Sequence, residues 1–304
     1  MYSVILTAFN ADQTIARAIE SALSLKIPPA EIIIIDDCSI DSTREIVERY
    51  CKSNSRIKLF SNKSNSGQSF SRNFGSKIAT TEFLMFMDDD DLSLPDRAKL
   101  HLEAFEKGTD LSYVSTSKVY ANGYIVEHFN SNYTYTNQAP NAIIRNVIIG
   151  EKSFDFENLF SPSCSLAVRR QSFLNSGGFR EDMRRLEDID FVCRALKQSF
   201  NITWSSEIGV IRFDTSGADK KPLANAKGEL MLINTFGSFF SRRERLVFRL
   251  MIKIRESYFE RSFWKLTLTI PSVIALLFLD PKRILSMLRR LMHDFRARNY
   301  EQRV

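Results

Sequence analysis

The sequence predicts an α/β fold, a doubly wound and mostly parallel sheet flanked by helices, with a helical appendage at its carboxyl end. Three observations carry that prediction. The short and largely apolar runs Ser3 to Ala8, Ile32 to Ile35 and Phe83 to Met87 have the pattern of strands buried on both faces. Amphipathic helical patterns lie between them. Acids gather where the strands end, at Asp36-Asp37 and at Asp88-Asp89-Asp90-Asp91, and in an open parallel sheet those ends share one crevice.

The first strand runs into Phe9-Asn10-Ala11-Asp12, and Asp12 is the expected N-cap of a helix from Gln13 to Leu25, where Ile15, Ala18, Ile19, Ala22 and Leu23 recur at helical spacing. Pro28-Pro29 stops it. After the second strand, Asp36-Asp37-Cys38-Ser39-Ile40-Asp41-Ser42-Thr43 sets acids and hydroxyls ahead of a helix from Arg44 to Cys51. A third strand, Ile57 to Phe60, leads to Asn62-Lys63-Ser64-Asn65-Ser66-Gly67-Gln68-Ser69, a loop whose small residues let a backbone approach a ligand closely. The following helix carries Arg72 and Asn73 near its start and returns to the acid-tipped strand. Strand, helix, strand, helix is a doubly wound opening.

Four adjacent carboxylates without an intervening base repel one another, so Asp88 to Asp91 suit a hard divalent cation, Mn2+ or Mg2+, that completes its shell with phosphate and water. A solvated acidic turn ahead of the helix near Pro95 is the plainer alternative. Asp37 can accept a hydrogen bond from a nucleobase N–H, and Arg72 can hold a phosphate. A dinucleotide enzyme fits poorly, because the turn Thr7 to Asp12 holds no glycine. A receiver domain, with its acids after the first strand, fits no better.

Composition bounds the rest. A 304-residue chain with 44% hydrophobic and 26% charged residues is a globular protein of one large domain plus an appendage. The opening Ser3-Val4-Ile5-Leu6 follows no basic stretch, so it reads as a strand and not a signal peptide, and a cytoplasmic location is expected. Cys38, Cys51, Cys164 and Cys193 stand far apart and read as free thiols. From Arg242 to Val304 fifteen Lys or Arg face six Asp or Glu, a net +9 that leaves −3 of the chain's +6 for the preceding residues. A mildly acidic body with a basic tail is not a nucleic-acid binder; mixed with apolar residues, that tail suits an anionic membrane surface.

Five segments in order resemble glycosyltransferase family 2, the inverting enzymes with the GT-A fold. They are the opening Val-Ile-Leu-Thr-Ala-Phe-Asn, the Ile-Asp-Asp-Cys-Ser-Ile-Asp-Ser-Thr run, and Asn65-Ser-Gly-Gln-Ser-Phe-Ser-Arg-Asn-Phe-Gly75. Phe86 to Pro95 is similar to the family's Asp-x-Asp region, and Gly177-Gly178-Phe179-Arg180-Glu181 with Glu187-Asp188-Ile189-Asp190-Phe191 is similar to its acceptor-side Glu-Asp motif. The resemblance implies a GT-A domain over 1–217 and a basic, amphipathic helical region over 218–304. It implies a nucleotide site at Thr7, Ala8, Phe9, Asn10, Asp37, Asn65, Gly67, Arg72, Asp88 and Asp89, metal ligands Asp88 and Asp90, and a general base at Asp188 with Glu187 beside it. The donor would be a nucleotide-sugar, a UDP-sugar above others, and the acceptor a glycan or lipid-linked glycan of cell-surface polysaccharide synthesis.

The chain departs from the family where an Arg-x-His is common: it reads Arg212-Phe213-Asp214, which leaves either Asp214 as a third ligand or water in that place. Glu187 and Asp188 also suit a plain helix start, where carboxylates complement the dipole. Pro162-Ser163-Cys164-Ser165 is either a sugar-pocket wall or an ordinary turn. Tyr120, Tyr124, Tyr133 and Tyr135 suggest strands and a long loop over the crevice, with rings to stack on a sugar or to fill the core. His101, His128 and His293 read as surface or packing residues. Leu230 to Phe240 and Leu246 to Ile254 look helical. The fourteen-residue apolar run Leu266 to Leu279, flanked by Trp264, Lys265, Lys282 and Arg283, is too short to span a bilayer and suits peripheral attachment to the inner face of the plasma membrane, or a homo-oligomer interface. Two further activities fit the acid-tipped strand: a nucleotidyltransferase, and a non-catalytic nucleotide-sugar-binding protein.

Overall fold

The computed structural model describes residues 1–120, 122–136, 140–149, 159, 161–213, 222–259, 271 and 274. Asp214 and, apart from Pro271 and Ile274, the apolar run 266–279 lie outside them. The chain divides into two compact units, Met1–Asp219 and Lys220–Val304.

In the first unit the expected opening forms: β1 (Tyr2–Ala8), α1 (Ile15–Leu23), β2 (Glu31–Asp36), α2 (Thr43–Ser53), β3 (Ile57–Ser61), α3 (Gln68–Ile78) and β4 (Phe83–Asp88). Every residue of β1 and β2 is buried. Asp12 does not cap α1. Thr14 takes the N-cap position, while the Asp12 amide donates to Asp41 Oδ2 at 3.1 Å. Then follow β5 (Leu92–Ser93), α4 (Arg97–Glu106), β6 (Leu111–Val119), β7 (Ile125–His128), β8 (Tyr133–Tyr135) and α5 (Pro140–Ile149), the last a helix that the sequence reading did not anticipate. After a short 3-10 turn at Ser163–Ser165 come β9 (Leu166–Arg169), α6 (Arg170–Asn175), α7 (Glu187–Lys197) and β10 (Ile202–Phe213).

The strands form one sheet in the order β3-β2-β1-β4-β9-β6-β10-β5, with β7 on β6 and β8 on β10. Pairing is parallel from β3 to β4 and between β6 and β10; β9 runs antiparallel to both its neighbours. Because β9 reverses direction between them, β4 and β6 point the same way. The carboxyl ends of β1, β2, β4, β6 and β10 therefore open on one rim, and register fixes it: Thr7 lies opposite Asp88 and Ala8 opposite Asp36.

One face of the sheet packs on α1 and α4 through Val4, Leu6, Ile32, Ile34, Met85, Met87, Ile19 and Phe105. On the other face, α3 comes so close that a Cβ on Gly75 would lie 2.7 Å from Ile5 Cγ2. Tyr135 is fully buried, and Tyr133 and Tyr113 both pack on Trp204, so these rings build the core.

In the second unit, α8 (Pro222–Thr235) starts earlier than its apolar pattern suggests, and α9 (Arg242–Phe259) follows. Arg245 ties the junction by donating to the carbonyls of Gly237 and Phe240, each at 2.7 Å. Arg242, Arg243, Leu246, Arg249 and Lys253 are exposed on α9. Among the described residues no helix is long and apolar enough to cross a membrane.

Candidate active site

The rim holds two groups of acids joined by one buried arginine. Arg72, on α3, is 1% exposed, and its guanidinium reaches both groups at once. One arm, Nη2, donates to Asp88 Oδ1 at 2.6 Å and to Gln68 Oε1 at 3.1 Å; the other, Nη1, donates to Glu187 Oε1 at 3.0 Å. Gln68, one turn earlier on the same helix, also donates to Glu187 Oε1, at 2.7 Å. Burial works against the Arg72 charge, but Asp88, Glu187 and Asp188 outweigh it and raise its pKa. The guanidinium expected to hold a phosphate is instead enclosed beneath the acids.

Burial, then the neighbouring Asp188 charge, pushes the Glu187 carboxyl up to about 7 even with Arg72 beside it. Glu187 and Asp188 open α7 after Leu186, whose φ of +65° turns the chain into the helix. Asp188 is half-buried, its pKa is raised by burial, and its Oδ1 accepts the Ile189 amide at 2.8 Å. The third acid of the turn is structural: Asp190 is fully buried and takes Arg194 Nε at 2.6 Å, while Arg194 binds the carbonyls of Ser176 and Gly178. Asn73 clamps the same turn through the Phe179 amide and carbonyl, at 2.9 and 2.8 Å.

At the end of β4, Asp89 Oδ2 accepts the Phe9 amide at 2.9 Å, and Arg17 Nη2 donates to the Asp90 carbonyl at 2.9 Å. Burial and the charges of Asp90 and Asp88 push Asp89 up to about 7; burial and the charges of Asp88 and Asp90 push Asp91 up to about 8. Asp88, Asp91 and Cys164 each offer an atom within 4.8 Å of the others, which places the 3-10 turn before β9 against the acids. Burial keeps the Cys164 thiol protonated, with a pKa well above its ordinary value.

The nucleotide-side residues are brought together as well. Phe9 is 45% exposed at the rim. Asn10, at φ +50°, locks its turn to the next loop: its amide donates to Ser39 Oγ at 3.0 Å and its Oδ1 accepts the Ile40 amide at 2.9 Å. Asp37, expected to face a base, anchors the 62–67 loop. Its Oδ1 accepts Asn62 Nδ2 and the Ser66 amide at 2.7 and 2.8 Å, and its Oδ2 accepts the Gly67 amide at 2.7 Å. Gly67 has φ +89°, a conformation that favours glycine. Asn65 Oδ1 lies 3.4 Å from Arg184 Nη1.

Gln68 and Arg17 were missed from sequence. Gln68 had a signal, its i,i+4 spacing to Arg72 on a predicted helix face; Arg17 had none.

The family described as Glycosyl transferase family 2 matches residues 3–176, more than half of the chain. The chain belongs to glycosyl transferase family 2. Relatives of this family-2 chain include an uncharacterized glycosyltransferase of Haemophilus influenzae, 26% identical over 198 residues, covering 65% of the chain and 63% of the relative. WfgD of Escherichia coli, a UDP-Glc:alpha-D-GlcNAc-diphosphoundecaprenol beta-1,3-glucosyltransferase, is 30% identical over 129 residues, covering 42% and 50%. The chain thus spans less than two thirds of these curated relatives. The crystal structure of S. aureus TarS 1-349 in complex with UDP-GlcNAc matches with a TM-score of 0.62 at 20% identity, over 97% of this chain and 87% of that one, a likeness of fold.

Proposed function

We propose that this family-2 chain is an inverting glycosyltransferase that moves a sugar from a UDP-sugar to a glycan or lipid-linked glycan in cell-surface polysaccharide synthesis. The observation that carries the reading is the pair of acid groups, Asp88 to Asp91 and Glu187-Asp188, held at a fixed separation by Arg72. Single displacement needs a base on one face of the sugar and a stabilised leaving group on the other.

Asp188 is the base. Its Oδ1 is turned to the Ile189 amide, so Oδ2 receives the proton of the acceptor hydroxyl. The acceptor oxygen then bonds to the anomeric carbon while the bond from that carbon to the diphosphate oxygen breaks, and the electron pair leaves with the nucleoside diphosphate. A pKa raised by burial makes Asp188 a better proton acceptor. Glu187 touches no acceptor in this scheme; it is a positioning residue that holds Arg72.

Mn2+ or Mg2+ fits the donor side. Asp89 and Asp91 are driven toward protonation by burial and by neighbouring carboxylates, a penalty that a hard cation relieves. Asp88 and Asp90 would hold it, with Asp214 as a candidate further ligand. When bound, such a cation offsets the charge that develops on the departing diphosphate. The basic carboxyl-terminal region suits peripheral attachment to an anionic membrane face where a lipid-linked acceptor is presented.

Isothermal titration with UDP, GDP and CDP, each with and without Mn2+, tests the reading. Tight binding of UDP only with metal is expected, and Asp90→Ala should abolish that metal dependence. Binding of none of the three removes the donor site.

A further inference from the structure

A second group of polar side chains lies on the half of the sheet away from the nucleotide-side loops, and it is basic. Arg212 on β10 is in register with Lys118 on β6, and His128 on β7 is in register with Thr116, two residues before Lys118. Cross-strand partners, and residues two apart on a strand, share a face. Arg212, Lys118, Thr116 and His128 therefore stand on one face of three neighbouring strands. The three basic residues are all half-buried. Thr116 is fully buried, and its Oγ1 meets no partner among the described residues.

We propose that Lys118, His128 and Arg212 bind a phosphate group of the acceptor, so that the acceptor carries a phosphate or diphosphate near the hydroxyl it offers. This rests on the glycosyltransferase reading of the crevice. Three observations support it. First, basic groups gathered around a buried, unsatisfied hydroxyl are suited to an anion with several acceptor oxygens. Burial, and then the charges of Arg212 and Lys118, depress the His128 pKa, a repulsion that an anion among them relieves. Second, the place in the sheet separates this group from the nucleotide. Apart from Asp88 and Asp89 at the end of β4, two strands from β6, the loops expected to hold the nucleotide follow β1, β2 and β3, and β6 is three strands from β1, about 14 Å at roughly 4.8 Å per strand. Third, Arg212 is within electrostatic reach of Asp91, Asp88 and Asp188, so it borders both the acid cluster and the proposed base. An anion on Arg212, Lys118 and His128 then belongs to the molecule whose hydroxyl faces Asp188.

Phosphate of this kind reaches a transferase either on a lipid carrier or within a phosphate-bearing glycan. The test uses the full chain saturated with UDP and Mg2+, into which inorganic phosphate, farnesyl phosphate and glycerol 3-phosphate are titrated calorimetrically. The double variant Lys118→Gln, His128→Gln is expected to bind inorganic phosphate about tenfold more weakly with UDP affinity unchanged, and Lys118→Arg to bind it as the parent does. Tighter binding of farnesyl phosphate assigns the site to a lipid-linked acceptor, and tighter binding of glycerol 3-phosphate to a phosphoglycan. Equal phosphate affinity in parent and double variant overturns the proposal, and so does a matching loss of UDP affinity, which would give these cations to the donor. If the parent binds no UDP at all, the donor reading fails instead, and phosphate titration of the unsaturated chain still reads the basic group.

Discussion

Removing Arg72 perturbs both acid groups, and the effect should depend on pH in a way the geometry dictates. In Arg72→Met the side chain remains long and apolar, but Asp88 and Glu187 lose their shared partner. Asp88, 29% exposed at its side chain, can rehydrate. Glu187, 5% exposed, cannot, and among the described residues retains Gln68 as its one side-chain partner. Breaking a buried pair by deleting one partner costs about 3–5 kcal/mol, and the exposure of Asp88 places this case near the lower end. The buried carboxyl has one escape, which is to take up a proton. With Arg72 present it already titrates at about 7; without it the pKa is higher still. Between pH 7 and that higher value the variant's native state holds a proton that the parent's does not, so its destabilisation grows with pH by up to about 1.4 kcal/mol per unit. Urea unfolding followed by the fluorescence of the fully buried Trp204 should give a deficit of about 1–2 kcal/mol at pH 5.5 and about 3–5 at pH 8.5. A deficit that is the same at both pH values, or below about 1 kcal/mol at pH 8.5, would show that Arg72 does not neutralise Glu187.

Asp188→Asn should leave UDP binding intact and reduce kcat on the order of a hundredfold or more, as loss of a general base does; an unchanged kcat takes Asp188 out of the mechanism. Glu31 reports on acid stability. Burial opposes its ionisation, but Lys58, the Thr80 amide and the hydroxyls of Ser3 and Thr80 hold its carboxyl down at about 2. The stabilisation is present above pH 4.5 and is lost as pH falls from there through 2. With a discount for the solvent-facing Lys58 it amounts to about 2 kcal/mol, and Glu31→Gln should flatten the acid limb of the stability curve by that amount. Gly75→Ala places a Cβ against Ile5 and should cost about 1–3 kcal/mol by overpacking; a thermal midpoint equal to the parent's would mean that α3 can move off β1.

The first half of the fold was legible because its strands are short apolar runs between amphipathic helices, a pattern that local periodicity captures. The acid clusters were legible for a related reason: adjacent like charges at a strand end have few structural uses. Sequence patterns could not show which side chain faces which. Arg72 and Asp37 were identified as important, yet each points inward, one to two carboxylates and the other to the neighbouring 62–67 loop. A residue type names the hydrogen bonds available, and tertiary placement decides who receives them. The tyrosines after Lys118 were ambiguous for the same reason, since a ring that can stack on a sugar packs equally on a core indole, as Tyr133 does on Trp204. The basic group was hidden because Lys118, His128 and Arg212 are scattered in the chain and meet only through strand register.

The reversed strand β9 has a consequence for how such a protein can diversify. It separates β4 from β6, so among the described residues the ladder bonds of β6, β7, β8 and β10 run among themselves, to β9 and to the short β5, and not to β1, β2 or β3. Insertions and substitutions between β6 and β8 can reshape one half of the rim without shifting the register of the other. One half of the sheet can thereby change without disturbing the strand pairing of the other.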